Sequence, residues 1–128
     1  MEWTRIVRSG PPRVRGVNSQ YPGLLDVEID LTRTPPPEWT QGFIHPSGVG
    51  ISLSMHPPEI SGSRVQIRPP DGELEKYVAH VDERIEAANT YFEQRVLPAL
   101  NAAEAQAQQR KATEQSRIAD ATRQADKL

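Results

Sequence analysis

The sequence of 128 residues contains no cysteine, which excludes disulfide bonds, thiolate metal sites, iron–sulfur clusters and cysteine nucleophiles. Small secreted domains usually depend on disulfides, so this absence favours a reducing compartment, and we expect a cytoplasmic protein. No stretch of the chain approaches the roughly 18 consecutive apolar residues of a membrane helix. We therefore expect no membrane among its partners.

Neither sign of charge predominates, because 15 basic residues stand against 17 acidic ones and the net charge is −2. A domain that coats nucleic acid is usually basic, so this balance argues against that class of protein. Hydrophobic residues make up 36% of the chain, which is below the globular average. Together with the length, this composition predicts one globular domain rather than two.

Glycine and proline are almost absent from the second half of the chain. All 8 glycines lie at or before Gly72, and of the 12 prolines only Pro98 lies beyond Pro70. Both residue types are costly inside helices, so residues 1–70 are predicted to form strands and loops. The predicted fold is α+β: a small, mainly antiparallel sheet of about three to five strands packs against a long C-terminal helix, with a helical extension after Pro98.

Strands are predicted where apolar and polar residues alternate along the chain. The segment 25–31 shows this pattern most clearly, and its outer face is acidic. If it is the antiparallel neighbour of segment 64–68, its acidic residues pair with Arg64 and Arg68 across the ladder, and an anion-binding face is the alternative. The predicted strands are 25–31, 51–55 and 64–68, with weaker candidates at 4–8 and 13–17.

Trp39 and Phe43 stand four residues apart directly after the run of three prolines that ends at Pro37. Proline is tolerated in the first turn of a helix, and residues at this spacing share one helical face. We therefore predict a short helix, or an ordered loop, that closes one end of the core with both rings.

A long helix is predicted from Asp71 to Leu97, with Asp71 as its N-cap and an apolar stripe at steps of three and four residues. Pro98 lacks the backbone donor that a helix interior needs, so a kink, or a stop and a new start, is expected there. The expected organisation is an α+β globular domain over 1–97 and a polar helical extension or partly disordered tail over 98–128.

Residues 101–128 are good helix formers with little apolar surface. From Ile118 to Leu128 the apolar residues of this segment are spaced 3, 4 and 3 positions apart. Towards the N-terminus, the next positions of the same row are Glu114 and Lys111, so the row is too short for an autonomous coiled coil. A solvated or fraying helix and a basic arm for nucleic acid are two interpretations of this segment. The third is a helix that docks on a partner, with the contact residues Val96, Leu100, Ile118, Ala121, Ala125 and Leu128.

The sequence contains no recognisable catalytic or metal-binding motif. His45, His56 and His80 lack the spacing of metal ligands, and no nucleophile elbow or phosphate-binding loop is present. We therefore expect no enzyme activity, no metal and no cofactor. A small hydrolase or metal enzyme that uses His45 and His56 is the enzymatic alternative.

The function predicted from these observations is a non-enzymatic binding or adaptor module whose C-terminal helix mediates self-association or docking to a larger protein. One alternative is recognition of a nucleic acid or a nucleotide phosphate, because arginine favours bidentate contacts with phosphate. Pairing of the same arginines with the chain's own acids is the structural interpretation. A small antitoxin or immunity-type protein is a second alternative. The arginines concerned are Arg5, Arg8, Arg13 and Arg15.

Overall fold

The computed structural model describes residues 2–46 and 56–128, and it confirms the predicted α+β fold. The strands are β1 (Arg13–Val17), β2 (Leu25–Asp30), β3 (Glu59–Ser61) and β4 (Arg64–Ile67). They form one antiparallel sheet with the strand order β1-β2-β4-β3, and a long helical region follows it in the chain. The helices are α1 (Pro37–Ile44), α2 (Leu74–Tyr91) and α3 (Leu97–Ala125), and a π-helical segment, Phe92–Val96, joins α2 to α3.

Three strands coincide with segments predicted from alternation, namely β1, β2 and β4. Of the two weaker candidates, 13–17 is β1, whereas the segment 4–8 is not a strand and contributes a single bridge between Arg8 and Leu31. The short strand β3 was not predicted, because Ile60 is its only apolar residue. The strand predicted at 51–55 lies outside the described residues.

The core lies between one face of the sheet and the helices. Val27 and Ile29 of β2 are buried, and they stand opposite Ile67 and Val65 of β4, which are buried as well. Side chains of α1 and α2 complete the hydrophobic core, because the apolar face of a half-buried sheet has to be covered by another layer. The core residues from the helices are Trp39, Phe43, Tyr77, Val81, Ile85, Ala88 and, in the π-helical segment, Phe92.

The short helix α1 confirms the prediction made from Trp39 and Phe43. Both rings are fully buried, and their centroids lie 5.7 Å apart in a stacked arrangement. Gly42 lets α1 approach α2 closely, because a Cβ atom there would lie 3.2 Å from the Cα atom of Ala88 and 2.9 Å from Cδ1 of Tyr91. The two helices are therefore in contact along their small residues.

Two expectations about the long helix need correction. The helix begins at Leu74, and Glu73 rather than Asp71 occupies its N-cap position, without a side-chain hydrogen bond. Asp71 is separated from the helix by Gly72, whose φ of 82° is left-handed. The helix α2 also ends earlier than predicted, at Tyr91, whereas the new helical start expected at Pro98 is present. The π-helical segment Phe92–Val96 precedes it, so Pro98 falls in the first turn of α3, where a missing N–H is tolerated.

Candidate functional site

The N-terminal segment is anchored on the π-helical end of α2 by Trp3. Its ring stacks on Phe92 with the centroids 4.1 Å apart, and its Nε1 donates a 2.9 Å hydrogen bond to Oε2 of Glu93. The guanidinium of Arg33 lies over the Trp3 ring, 4.7 Å from its centroid, and Nη2 of Arg33 donates to the Thr4 carbonyl. These contacts hold the N-terminal residues beside the helix.

Arg5 and Arg8, two of the four candidate anion-binding residues, pair with acids of the same helical region. Arg5 donates to Glu86 and to Glu93 at 2.8 Å each, and Nε of Arg8 donates to Oδ1 of Asp82 at 2.6 Å. The hydrogen bonds between Arg5 and Glu93 raise the pKa of Arg5 and lower the pKa of Glu93. Both arginines are therefore charge-matched within the chain.

Arg13 and Arg15, the other two candidates, lie on the outer face of the sheet. Nη2 of Arg13 lies 3.2 Å from Oε2 of Glu28 and 3.0 Å from Oδ1 of Asp30, and Nε of Arg15 lies 3.8 Å from Glu28. Nε of Arg64 lies 3.6 Å from both of these acids, as the predicted cross-ladder pairing requires. Two acids of β2 therefore lie within reach of three arginines from the two neighbouring strands.

The remaining arginine of this face, Arg68, faces Glu59 of β3 at 3.9 Å rather than an acid of β2. A shallow depression of about 250 Å³ lies on the same face, and its lining mixes both signs of charge. Asn18 and Asp26, at its rim, are already joined by a 2.8 Å hydrogen bond. These pairings do not favour the anion-binding alternative, because a phosphate would have to compete with carboxylates that lie within reach of the same guanidinium groups.

The edge strand β1 leaves apolar side chains exposed. Val14 and Val17 are each more than half exposed, although Val14 stands opposite the buried Val27. The pairing register shifts between Val14 and Gly16, and Arg13 and Arg15 alternate with the apolar residues. Bulges and charged residues are typical devices that protect an edge strand against pairing with another strand. We therefore do not place a strand-addition site at β1.

Asn89 is a buried polar residue that the sequence interpretation missed. Its Oδ1 accepts hydrogen bonds from the Ile6 amide at 3.0 Å and from Nε1 of Trp39 at 2.9 Å, and its Nδ2 donates to the Ile6 carbonyl at 2.7 Å. The side chain thus joins the N-terminal segment, α1 and α2. Its spacing of four residues from Ile85 was the available signal, since it places this amide on the buried face.

Arg84 is the second buried polar residue of α2. Its Nη1 donates to the carbonyls of Phe43 and Ile44 at 3.0 and 3.3 Å, where the end of α1 leaves carbonyl groups without helical partners. Its Nε donates to Nε2 of His80 at 2.8 Å, so this imidazole nitrogen is an unprotonated acceptor. Burial and the nearby Arg84 charge lower the pKa of His80. The arrangement is structural, because it closes the end of α1.

The histidines of the enzymatic alternative have separate surroundings. His45 follows the end of α1 and is exposed, whereas the ring of His56 lies 5.7 Å from the ring of Tyr21. Within residues 2–46 and 56–128, no group of three or more histidine, aspartate or glutamate residues is placed so that it could hold a metal ion. These contacts offer no chemical support for a hydrolase or a metal enzyme.

The helix α3 extends away from the core. It has 29 residues, which corresponds to a length of roughly 43 Å, and none of its residues is buried. Val96 and Leu100 are half-buried where they pack against the core, whereas residues 101–128 are exposed throughout. Ile118 is 66% exposed and Leu128 is fully exposed. The structure thus places the predicted contact residues at the margin of the core and along the exposed helix.

The predicted contact residues within α3 belong to one continuous face. Each residue advances an α-helix by about 100°, and eight side chains fall within a sector of about 80°. We call this sector the α3 face. Val96 precedes it and Leu128 follows it. Its residues are Leu100, Ala103, Ala107, Lys111, Glu114, Ile118, Ala121 and Ala125.

Comparisons with known proteins give no relative, since the chain matches no family model, no curated protein and no solved structure. Among the residues that the structure describes, no helix combines the length and the apolar character needed to cross a membrane. Evidence about function therefore comes from the geometry of this chain.

Proposed function

We propose that this chain is a non-enzymatic protein-binding module whose C-terminal helix associates with another copy of itself or docks on a larger protein. One observation carries the proposal. Every residue of α3 beyond Leu100 is exposed, although six of the eight residues of the α3 face are apolar or small, with only Lys111 and Glu114 between them. A helix that only needed to be solvated would have no use for such a row.

The energetics of α3 support a partner. Most helices in proteins are stabilised by packing of their apolar face rather than by intrinsic propensity. The alanine, glutamine, lysine and arginine residues of α3 have high helix propensity, so the helix can form before it is packed. Burying the side chain of Ile118 on a partner would contribute about 1.5–3 kcal/mol. The free helix is therefore preformed, and its binding face remains available.

The globular part gives α3 a fixed base. Phe92, in the π-helical segment that precedes α3, is fully buried and stacks on Trp3. Val96 and Leu100 then pack against the same core, so the α3 face begins at the margin of the domain. The domain consequently orients the helix, as an adaptor module requires.

Photo-crosslinking in cells that produce the protein tests this proposal. A photoreactive amino acid replaces Ile118 in one variant and Ser116 in the other, and the two positions lie about 200° apart around the helix. Both side chains are exposed, so both variants are expected to fold. We expect a discrete protein adduct from position 118 and little from position 116. No adduct from position 118, or equal adducts from both positions, would contradict the proposal.

A further inference from the structure

We infer that the α3 face binds a second copy of this chain in antiparallel orientation, with Lys111 of each copy facing Glu114 of the other. This inference rests on the proposed function of α3 as a binding element, and it specifies the partner. The two copies would be related by a two-fold axis, which is the most common symmetry of protein dimers.

The order of side chains along the α3 face supports an antiparallel pair. The face is nearly symmetric about the midpoint between residues 112 and 113, because its members occur at matching distances on the two sides. In an antiparallel pair centred on this point, residues whose numbers add up to 224 or 225 stand opposite one another. The facing pairs are Lys111 with Glu114, Ala107 with Ile118, Ala103 with Ala121, and Leu100 with Ala125.

This register matches large side chains with small ones. Ile118 of one copy faces Ala107 of the other, and Leu100 faces Ala125. Alternation of large and small residues allows two surfaces to interdigitate without voids, and alanine lets the backbones approach closely. Each bulky side chain of the face therefore has a place on the opposite helix.

Charge complementarity selects the antiparallel orientation. A parallel pair in register would place Lys111 beside Lys111 and Glu114 beside Glu114, whereas the antiparallel pair forms two contacts of opposite charge. In the portion of the chain that the structure describes, neither side chain takes part in an ion pair. Their charges are therefore available to a second copy.

The antiparallel register also brings together Val96 and Leu128, the two residues that flank the α3 face. Leu128 of one copy reaches the level of Val96 of the other, since 128 and 96 add up to 224. Val96 is half-buried at the margin of the core, while Leu128 is fully exposed. The end of each helix therefore extends the apolar margin of the opposite domain, and the two domains lie at opposite ends of a helix pair roughly 43 Å long.

Disulfide trapping tests the register, and the absence of native cysteine makes every introduced thiol unique. Ala107→Cys and Ile118→Cys are prepared as separate proteins, one of them with a mass tag, and are mixed under mild oxidation. We expect the mixed 107–118 disulfide to form at least tenfold faster than either same-position disulfide. In this register two copies of residue 107 lie about 16 Å apart along the axis, which exceeds the reach of a disulfide.

Ala105→Cys is the matched control for Ala107→Cys, because it lies about 200° away on the opposite side of the helix. We expect no rapid disulfide between Ala105→Cys and Ile118→Cys. Same-position disulfides without the mixed product would indicate a parallel pair, and the absence of any rapid disulfide would exclude self-association through this face. Either result overturns the inference.

Charge exchange provides a readout without cysteine. Lys111→Glu and Glu114→Lys are each expected to raise the dissociation constant about tenfold, because like charges then face each other. An equimolar mixture of the two variants restores opposite charges in a mixed dimer and is expected to associate like the original chain. A mixture that associates no better than its components contradicts the antiparallel contact.

The outcomes separate this inference from the proposed function. If no self-disulfide forms but the photoreactive group at Ile118 captures a different protein, the partner is not a second copy and the binding role of α3 stands. If neither a disulfide nor an adduct forms, both the inference and the proposed function are wrong.

Discussion

Nε1 of Trp39 donates a 2.9 Å hydrogen bond to Oδ1 of Asn89, and both side chains are buried in the centre of the domain. The same oxygen accepts from the Ile6 amide, while Nδ2 donates to the Ile6 carbonyl. Because two donors meet the oxygen and an acceptor meets the nitrogen, only one orientation of the amide satisfies all partners. This residue therefore fixes the N-terminal segment, α1 and α2 relative to one another.

Replacing this amide should destabilise the whole domain. Asn89→Ala leaves the Trp39 indole and both backbone groups of Ile6 buried without their partners, and each such group costs about 1–3 kcal/mol. We expect the free energy of unfolding, measured with urea, to fall by about 3 kcal/mol or more. Gln115→Ala, at an exposed position of α3, should change it by less than about 0.5 kcal/mol. Equal effects of the two substitutions would contradict the role of Asn89.

Close packing of α1 on α2 predicts a cost for Gly42→Ala. The added Cβ would lie 3.2 Å from the Cα atom of Ala88, which belongs to the backbone and cannot move freely. Overpacking typically costs about 1–3 kcal/mol, and the better helix propensity of alanine offsets about 1 kcal/mol of that. Thermal unfolding should therefore show a net loss of stability.

Gly23→Ala is the matched control for Gly42→Ala, because a Cβ atom at Gly23 meets nothing within 4 Å. We expect this substitution to leave the melting temperature unchanged or slightly raised, as alanine restricts the unfolded chain. If Gly42→Ala were as stable as this control, the close approach of the two helices would be excluded.

His80 should make the stability of the domain depend on pH. Its pKa in the folded protein lies below the ordinary value of 6.5, chiefly because of burial. The unfolded chain then binds the proton more tightly, so the stability is complete above about pH 6.5 and falls as the pH decreases through the folded pKa. Urea unfolding between about pH 8 and pH 5 measures this decrease.

His80→Gln is the variant that isolates this effect. A glutamine oxygen can still accept the hydrogen bond from Nε of Arg84, but it does not titrate. We expect the decrease in stability between pH 6.5 and 5 to be smaller in this variant than in the original protein, as the lowered pKa implies. Identical pH profiles would show that another group is responsible.

Glu93 should also make the stability of the domain depend on pH, but in a more acidic range than His80 does. Its pKa is lowered below 4.5 chiefly by the hydrogen bonds from Arg5, so this contribution is present above about pH 4.5 and disappears as the pH falls below that value. The two side chains are 43% and 30% exposed, so Glu93→Gln is expected to cost only about 1 kcal/mol at neutral pH, and less in high salt. Glu2→Gln, at an exposed position, is the control. Loss of the same size in both variants would rule out a specific ion pair.

The sequence predicted the elements that alternation and helical spacing determine. β2 and β4 were predictable because each places apolar residues on one face, and Trp39 with Phe43 indicated α1 by their spacing. The start of α2 was predicted too early, because Asp71 has the chemistry of an N-cap. Gly72 has a left-handed φ, so the helix begins only after it. The glycine itself was the available signal, because glycine is the residue that most readily adopts a left-handed φ.

The buried polar contacts could not be predicted in the same way. Arg84 and Asn89 lie on the buried face of α2, but their partners are backbone groups from α1 and from the N-terminal segment, which are remote in sequence. The pairing of Arg5 with Glu93 likewise joins residues 88 positions apart. The sequence therefore indicated local patterns, such as the helical spacing of Ile118, Ala121 and Ala125, but it did not indicate the contacts that hold the domain together.

The solution mass of the full chain over a concentration series tests self-association through the α3 face most directly. We predict that the mass rises from 14.3 kDa towards twice that value with concentration, and that Ala105→Glu, on the opposite side of the helix, behaves in the same way. Ala107→Glu places a charge within the α3 face and should remain at 14.3 kDa. A mass of one chain at every concentration, or equal dimerisation of both variants, would contradict the pairing of α3 with a second copy.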